Sequence, residues 1–372
     1  MKPKVLFLGT VYRMHMMVFH LPYMQWFQQQ GYEVHLCCCN DTDGPIQPPY
    51  CDRYIDLPFS RSPFSKQNFQ VYRRLKQLMD KEDYALIHCN TPVGGMLGRL
   101  AARSSRKKGT RVVYTAHGFH FFTGAPLKNW LLFYPVERWL SRYTDLLITI
   151  NREDEARARH FHAGKVALVS GVGVDISRFE ATVDRAAVRS GLGIAVDAPT
   201  LICVGEHSVR KNHETVVRAA AMVKESQVLF CGVGEKQGEL ETLARELGIA
   251  DQVHFLGFRS DIPSLLMASD VFVFPSWQEG LPVAQMEAMA AGLPCVVSNV
   301  RGNRDLINQG DGGYLCAPGN AAAFAGAIQT LLNDPALRRR MGERNRREMQ
   351  KYSLKAVLDE MSALYRQELE GR

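Results

Sequence analysis

Ser276-Trp277-Gln278-Glu279-Gly280-Leu281-Pro282-Val283-Ala284-Gln285-Met286-Glu287 joins an apolar run to a helix start through a glycine turn, with seven residues between its two glutamates. The preceding Val271-Phe272-Val273-Phe274 reads as a short buried strand, and Pro282 suits the first helical position, where a missing N–H costs nothing. Glu279 then falls in the loop and Glu287 on the helix. Gly280, Leu281, Pro282 and Val283 line the mouth between them, where free backbone N–H groups and a positive helix end suit an oxygen-rich ligand. Ionised carboxylates only accept hydrogen bonds, so this pair fits the hydroxyls of a sugar better than a phosphate.

Outward from this stretch, short apolar runs alternate with helical patterns from end to end, the signature of parallel sheets with crossover helices. Val5–Leu8, Glu33–Cys38, Leu86–His88, Arg111–Thr115, Leu146–Ile150 and Val166–Val169 are the expected strands of the first half. Leu201–Val204, Val228–Cys231, Val253–Leu256, Val271–Phe274 and Cys295–Ser298 are those of the second. At 372 residues the chain exceeds what one core usually supports. The expected fold is α/β, with two Rossmann-like doubly wound domains facing a cleft into which the C-terminal strand ends point. Glycines at Gly171-Val172-Gly173 place the boundary: residues 1–170, residues 171–352, and a terminal helix over 353–372 returning to the first domain.

The composition, 46% hydrophobic and 22% charged, is that of an ordinary globular protein. Nine cysteines without a C-x-x-C pair read as reduced packing residues, and no metal site is expected. The N-terminal apolar run is too short for an export signal and no run approaches a membrane span, so a cytoplasmic location is expected. The net charge of +7 hides an asymmetry, with 23 basic against 13 acidic residues through Ser170 and 22 against 25 beyond it. The excess includes Arg99, Arg103, Arg106, Lys107, Lys108 and Arg111. Such a run is either a solvated face or an attraction to an anionic membrane or a diphosphate-bearing acceptor. Without interleaved aromatics or a known binding motif, nucleic acid is not the expected partner. The apolar segment from Trp130 to Tyr143 is expected to pack on the first sheet, with a membrane interface as the alternative.

The chain resembles the family 4 glycosyltransferases, retaining enzymes of the GT-B architecture that use nucleotide-sugar donors. The resemblance rests first on the Glu279-x7-Glu287 motif within Pro275-Ser276 to Ala288-Met289-Ala290-Ala291-Gly292-Leu293-Pro294. Val253-His254-Phe255-Leu256-Gly257-Phe258, Arg210-Lys211-Asn212, Gly302 and Tyr114-Thr115-Ala116-His117-Gly118-Phe119 support it. Asn90-Thr91-Pro92-Val93-Gly94-Gly95 and Ala125–Trp130 are similar to bacterial capsule and exopolysaccharide enzymes.

The resemblance implies that Glu279 clamps the donor sugar, that Glu287 holds the ribose, and that His117 faces the sugar. His117 at a strand end could otherwise simply cap it; as a functional group it would titrate near neutral pH. Lys211, following the Leu201–Val204 run, would neutralise the departing diphosphate, with Arg210 either assisting or solvated. The chain departs from the family where Glu206 follows Gly205 in place of a common arginine. Gly9-Thr10 resembles the loop that approaches the diphosphate or acceptor, and Gly232-Val233-Gly234 reads as a tight strand-to-helix turn. Phe258 is either a wall for the base or a core aromatic, and Gly302-Asn303 either lines the donor pocket or is a plain turn.

Together these readings lead to a hexosyl or N-acetylhexosaminyl transfer with retention, from a UDP-sugar to a glycan or polyprenyl-diphosphate-linked acceptor in cell-surface polysaccharide synthesis, with no cofactor beyond the co-substrate. The competing expectations are a UDP-sugar epimerase of the same architecture and a non-catalytic membrane-tethering module.

Overall fold

A computed structural model describes residues 2–370 apart from Lys224, and the side chains of those residues apart from Met14. It contains two compact units, residues 2–173 with 355–370, and Val174–Leu354.

In the first unit β1 (Lys4–Val11), β2 (Glu33–Cys39), β3 (Arg53–Asp56), β4 (Tyr84–Asn90), β5 (Arg111–Ala116), β6 (Leu146–Thr149) and β7 (Lys165–Leu168) form one sheet in the order β3-β2-β1-β4-β5-β6-β7. Every pairing in it is parallel. β4 is buried at every position, as a strand covered on both faces must be. The edge strands β3 and β7 are only partly buried and carry Arg53, Asp56 and Lys165 at their ends, which blunts them against further pairing.

Alternating side chains feed two cores. Leu6, Leu8, Ile87 and Cys89 meet Val71, Leu75 and Leu97 on one face. Val5, Phe7, Leu86 and Val113 meet Phe27 on the other, where the tail helix Leu354–Glu370 inserts Val357, Met361 and Tyr365. Polar bonds fix that helix in place: the Tyr365 hydroxyl pairs with His88 Nδ1 at 2.8 Å, and Glu360 accepts from Ser170 N and Oγ, both at 2.9 Å.

The second unit repeats the plan with β8 (Thr200–Val204), β9 (Gln227–Cys231), β10 (Val253–Phe255), β11 (Val271–Phe274), β12 (Cys295–Ser298), β13 (Asn308–Gln309) and β14 (Gly312–Cys316), in the order β10-β9-β8-β11-β12-β14-β13. All eleven strands expected from the sequence are present. β3, β13 and β14 are additions: the first is a half-exposed edge with charged ends, the second has two residues, and the third starts on a glycine pair that reads as a turn. All nine cysteines are free thiols. Among the described residues no helix is long and apolar enough to cross a membrane.

In each sheet the strand order reverses once, between β1 and β4 and between β8 and β11. Open parallel sheets bind ligands beyond the strand ends at such reversals. Gly9 and Thr10 end β1, and Lys211, Glu279 and Glu287 follow β8 and β11, whereas His117 follows β5 and Phe258 follows the edge strand β10.

Candidate functional site

In the second unit the loop after β8 and the loop after β11 are tied together. The Trp277 N–H donates to Arg210 O at 2.9 Å, and Asn212 Nδ2 to Pro275 O at 3.0 Å. Asn212 takes the left-handed conformation (φ 54°), one that asparagine tolerates, and so turns the chain from the Val209–Lys211 turn into the helix His213–Ala220. This aims Lys211 across the end of β11. Its ammonium lies 4.4 Å from the centre of the Phe274 ring and 2.8 Å from Glu279 Oε1. Arg210 Nη1 reaches the same oxygen at 3.1 Å. Two cations therefore converge on one atom of a buried carboxylate. Oε2 has no partner among the described residues, which leaves an acceptor in place for a sugar hydroxyl.

The Glu279–Leu281 loop is fixed from behind by Arg301, whose Nε donates to Glu279 O at 3.0 Å while its side chain is buried. Gly302 (φ 77°) sits so close that a Cβ there would collide with the Gly280 carbonyl oxygen. Gly302 thus backs the glutamate loop rather than making a plain turn, and Asn303 is occupied within its own turn, donating to Ser298 O at 2.9 Å. The role of Arg301 was not visible in the sequence, where it is one arginine among many.

The helix begins at Val283, one residue later than expected, because Pro282 has extended backbone (ψ 117°) and serves as the N-cap. The N–H groups of Gly280, Leu281 and Val283 have no acceptor among the described residues. Glu287 lies one turn into this helix, where its Oε1 accepts from Arg178 Nη1 at 3.2 Å. Burial raises its pKa, and Arg178 counteracts that only in part.

Phe258 is 85% exposed, so it is not a core aromatic. Gly232 and Gly234 do more than turn the chain: a Cβ on either would strike the carbonyl oxygen of Gly205 or of His207. Hydrogen bonds from His207 N to Val233 O and from Lys236 N to His207 O close that backbone contact at 3.1 and 3.0 Å. It holds the loop that leads to Lys211.

In the first unit, Gly9 and Thr10 belong to the end of β1 itself, past a register shift after Leu8, and not to a loop. Thr10 hydrogen-bonds Thr91, a β-branched residue with φ 63° at the end of β4. Such a conformation is a genuine outlier, held here by the buried strand ends around it. His117 follows β5, and its Nε2 is shut off from solvent with no partner among the described residues. Burial first, and His15 second, hold its pKa well below 6.5. It therefore stays neutral through neutrality, contrary to the expectation that it titrates there.

Thr10, Thr91, His15 and Gly118 help line a cavity of about 620 Å³, whose walls are mainly apolar, among them Phe64, Phe119, Phe133 and Val136. The helix Leu127–Leu140 supplies part of that wall. Arg99, completely buried, locks it down: both Glu137 oxygens accept from Nη2, at 3.1 and 2.9 Å, while the guanidinium stacks 3.9 Å from the Tyr114 ring. The expected burial of this helix holds only for its inner face. Leu127, Leu131, Leu132, Val136 and Trp139 remain exposed, with Lys128, Arg138 and Arg142 exposed beside them. Much of the basic run is likewise not a free solvated patch, since Arg99 pairs with Glu137, Arg106 with Asp145, and Arg111 donates to Glu368 O.

Comparison with known proteins gives this arrangement a family. The model for "Glycosyl transferases group 1" matches residues 184–348, and that for "Glycosyl transferase 4-like" matches residues 4–151. The chain is 42% identical to "Putative glycosyltransferase EpsD" of Bacillus subtilis, over 98% of this chain and 97% of that one. It is 28% identical to the "UDP-Gal:alpha-D-GlcNAc-diphosphoundecaprenol alpha-1,3-galactosyltransferase" of Escherichia coli, covering 83% and 82% of the two chains. Among solved structures, Thermosynechococcus elongatus sucrose-phosphate synthase superposes with a TM-score of 0.80 at 24% identity, with all of both chains covered. Anabaena HepE, solved in complex with UDP and glucose, superposes with a TM-score of 0.78 at 20% identity, covering 98% of this chain and 100% of that one. These two likenesses establish the GT-B fold. The chain belongs to the group 1, family 4-type glycosyltransferases and is a transferase enzyme.

Proposed function

We propose that this glycosyltransferase moves a hexosyl or N-acetylhexosaminyl unit from a UDP-sugar to a polyprenyl-diphosphate-linked saccharide, retaining the anomeric configuration, in the assembly of a cell-surface polysaccharide. The observation that carries this reading is the half-used carboxylate of Glu279. One oxygen is fixed by Arg210 and Lys211, and the other is open beside a helix start with unpaired N–H groups. Donor sugar hydroxyls are received by the open oxygen, and the ribose hydroxyls by Glu287. The diphosphate shares Lys211 and Arg210, whose charge offsets what the leaving group gains as its bond to the anomeric carbon breaks. The acceptor hydroxyl bonds to that carbon on the same face and gives its proton to the departing phosphate. The products are UDP and the lengthened saccharide.

The lipid-linked acceptor is favoured by the first unit. The cavity lined by Thr10 and Phe64 is largely apolar, with Thr10, Thr91 and His15 among its polar lining residues. The exposed apolar stripe of the helix Leu127–Leu140, edged by Lys128, Arg138 and Arg142, suits the surface of an anionic bilayer. Like the lipid-linked acceptor named for the Escherichia coli relative, such a substrate would be met at a membrane.

The deciding experiment is a nucleotide-sugar panel screened by thermal shift, then transfer of the selected sugar to a synthetic polyprenyl-diphosphate saccharide with NMR assignment of the new anomeric centre. One UDP-sugar raising the melting temperature and a retained linkage are expected. An epimerised donor without transfer, or an inverted linkage, overturns the reading. Vesicle sedimentation tests the membrane contact: Leu131→Glu lowers the fraction bound to anionic vesicles while leaving the melting temperature unchanged.

A further inference from the structure

Trp277 and His213 lie far apart in the chain, and nothing in the sequence connects them. The structure places both in the lining of one cavity of about 580 Å³ in the second unit, together with residues of the helices His213–Ala220 and Gln237–Glu246. That is the size of a small-molecule site. Lys211, Glu279 and Glu287 are not among the residues that line it. The Trp277 indole is 48% exposed, and its edge is backed by Gly319 (φ 75°), where a Cβ would come within 2.7 Å of the ring. An indole packed along one edge presents a rigid apolar face to a ligand at little entropic cost.

We propose that this cavity is a second binding site, for a short neutral saccharide whose C–H face stacks on Trp277 while Glu214, Glu239 and Glu246 receive its hydroxyls. Charge decides against an anion. Arg218 and Lys236 are each matched at 2.7 Å, by Glu214 and Glu239, and Glu246 then leaves three carboxylates against two cations in the lining. A phosphate would meet a net negative wall. A metal ion is no better served, because among the described residues of this unit no three ligating groups converge. A wholly apolar ligand would strip water from these charges and return nothing. Hydroxyls suit what remains: Glu214 and Glu239 each use one oxygen in their pair, and Glu246 has no partner among the described residues. In the same lining Ser208 Oγ and both ring nitrogens of His213 are buried without a partner among the described residues, where native interiors leave few such atoms. Burial first, then His207 and Lys211, hold the His213 pKa down at about 3. Its imidazole is therefore neutral at neutral pH and offers one donor and one acceptor, which matches a hydroxyl and not a phosphate.

The test uses the full-length protein with excess UDP, so that saccharide entering the donor site does not contribute. It is titrated with maltotriose, cellotriose and tri-N-acetylchitotriose, and separately with inorganic phosphate. The readout is the indole N–H NMR signal of Trp277, assigned by its loss in Trp277→Phe. At least one trisaccharide should move that signal saturably, with nuclear Overhauser contacts from sugar C–H protons to the indole ring, and phosphate should not. Trp277→Ala should weaken binding at least about tenfold, as truncation of an aromatic anchor does, and Glu246→Gln should weaken it as well. Trp139→Ala, which removes an exposed indole from the first unit, should leave it unchanged. Should Trp277→Ala fail to fold, the contacts to the indole in the unaltered protein carry the test. No saturable shift with any of the three saccharides, binding that survives Trp277→Ala, or displacement of the saccharide by phosphate overturns the proposal.

Discussion

Glu287→Gln separates stability from donor binding. The Glu287 carboxyl is largely buried, and its only ion-pair partner among the described residues, Arg178, is 43% exposed. Pairs of that exposure contribute under about 1 kcal/mol. The pKa is raised despite Arg178, so burial outweighs the pair. A carboxyl raised on folding adds stability below its unfolded value and loses it as pH climbs through the folded value. At neutral pH the ionised side chain is therefore a net cost, and glutamine, which keeps an oxygen facing Arg178, should leave the free protein as stable or more so.

Binding should move the opposite way. A carboxylate can accept from both ribose hydroxyls, whereas an amide offers one oxygen and one donor. A hydrogen bond to a charged group contributes about 1.5–3 kcal/mol, so losing one weakens UDP roughly 10- to 150-fold. Calorimetric UDP titration at pH 7, with denaturant midpoints from pH 4 to 8, measures both. The variant should lose the wild-type fall in stability above about pH 4.5, the ordinary value of a glutamate carboxyl. An unchanged affinity for UDP, or a lower midpoint that keeps the wild-type pH slope, would refute the reasoning.

Three further outcomes are expected. Lys211→Ala and Glu279→Ala should each reduce turnover by at least about 100-fold in a single-turnover transfer assay, the scale of one lost electrostatic contact in a transition state, while circular dichroism stays that of the wild type. Gly302→Ala should cost about 1–2 kcal/mol from its positive φ alone, with further loss of UDP binding as the Gly280 carbonyl is pushed aside; calorimetry of the variant reads both. Arg99→Met should strand Glu137 and cost about 3 kcal/mol, lowering the melting temperature of a unit this size by roughly 6–12 °C.

The strands that build the two sheets were legible because burial on both faces demands uninterrupted apolar runs, as in Val271–Phe274 and Cys295–Ser298, which no surface segment would carry. Edge pieces escaped for the complementary reason: Arg53–Asp56 has one partner strand and answers to water as much as to the core. At the site, Glu279 and Glu287 could be singled out since a strand, a glycine and a helix start fix their relation within twelve residues of continuous chain. The long-range partners could not, because nothing local ties Arg178 to Glu287, Arg301 to the Glu279 carbonyl, or Arg99 to Glu137.

Charge counting misled in the same way. Arg99, Arg106 and Arg111 look like a basic surface run, yet each is committed to a group at least thirty-eight residues away in sequence. A cation whose partner lies on another element carries no local mark of being spent. The reverse holds for the Leu127–Leu140 helix, where apolar residues on both faces read as deep burial. One face packs on the core and the other stays bare. Lys128, Asn129, Glu137 and Arg138 are scattered around that helix and mark no single polar face, and Arg99 holding Glu137 inward is one contact that sets which side meets protein. Together with Trp130, Phe133 and Tyr134 packed on the core, that ion pair leaves Leu127, Leu131 and Leu132 bare.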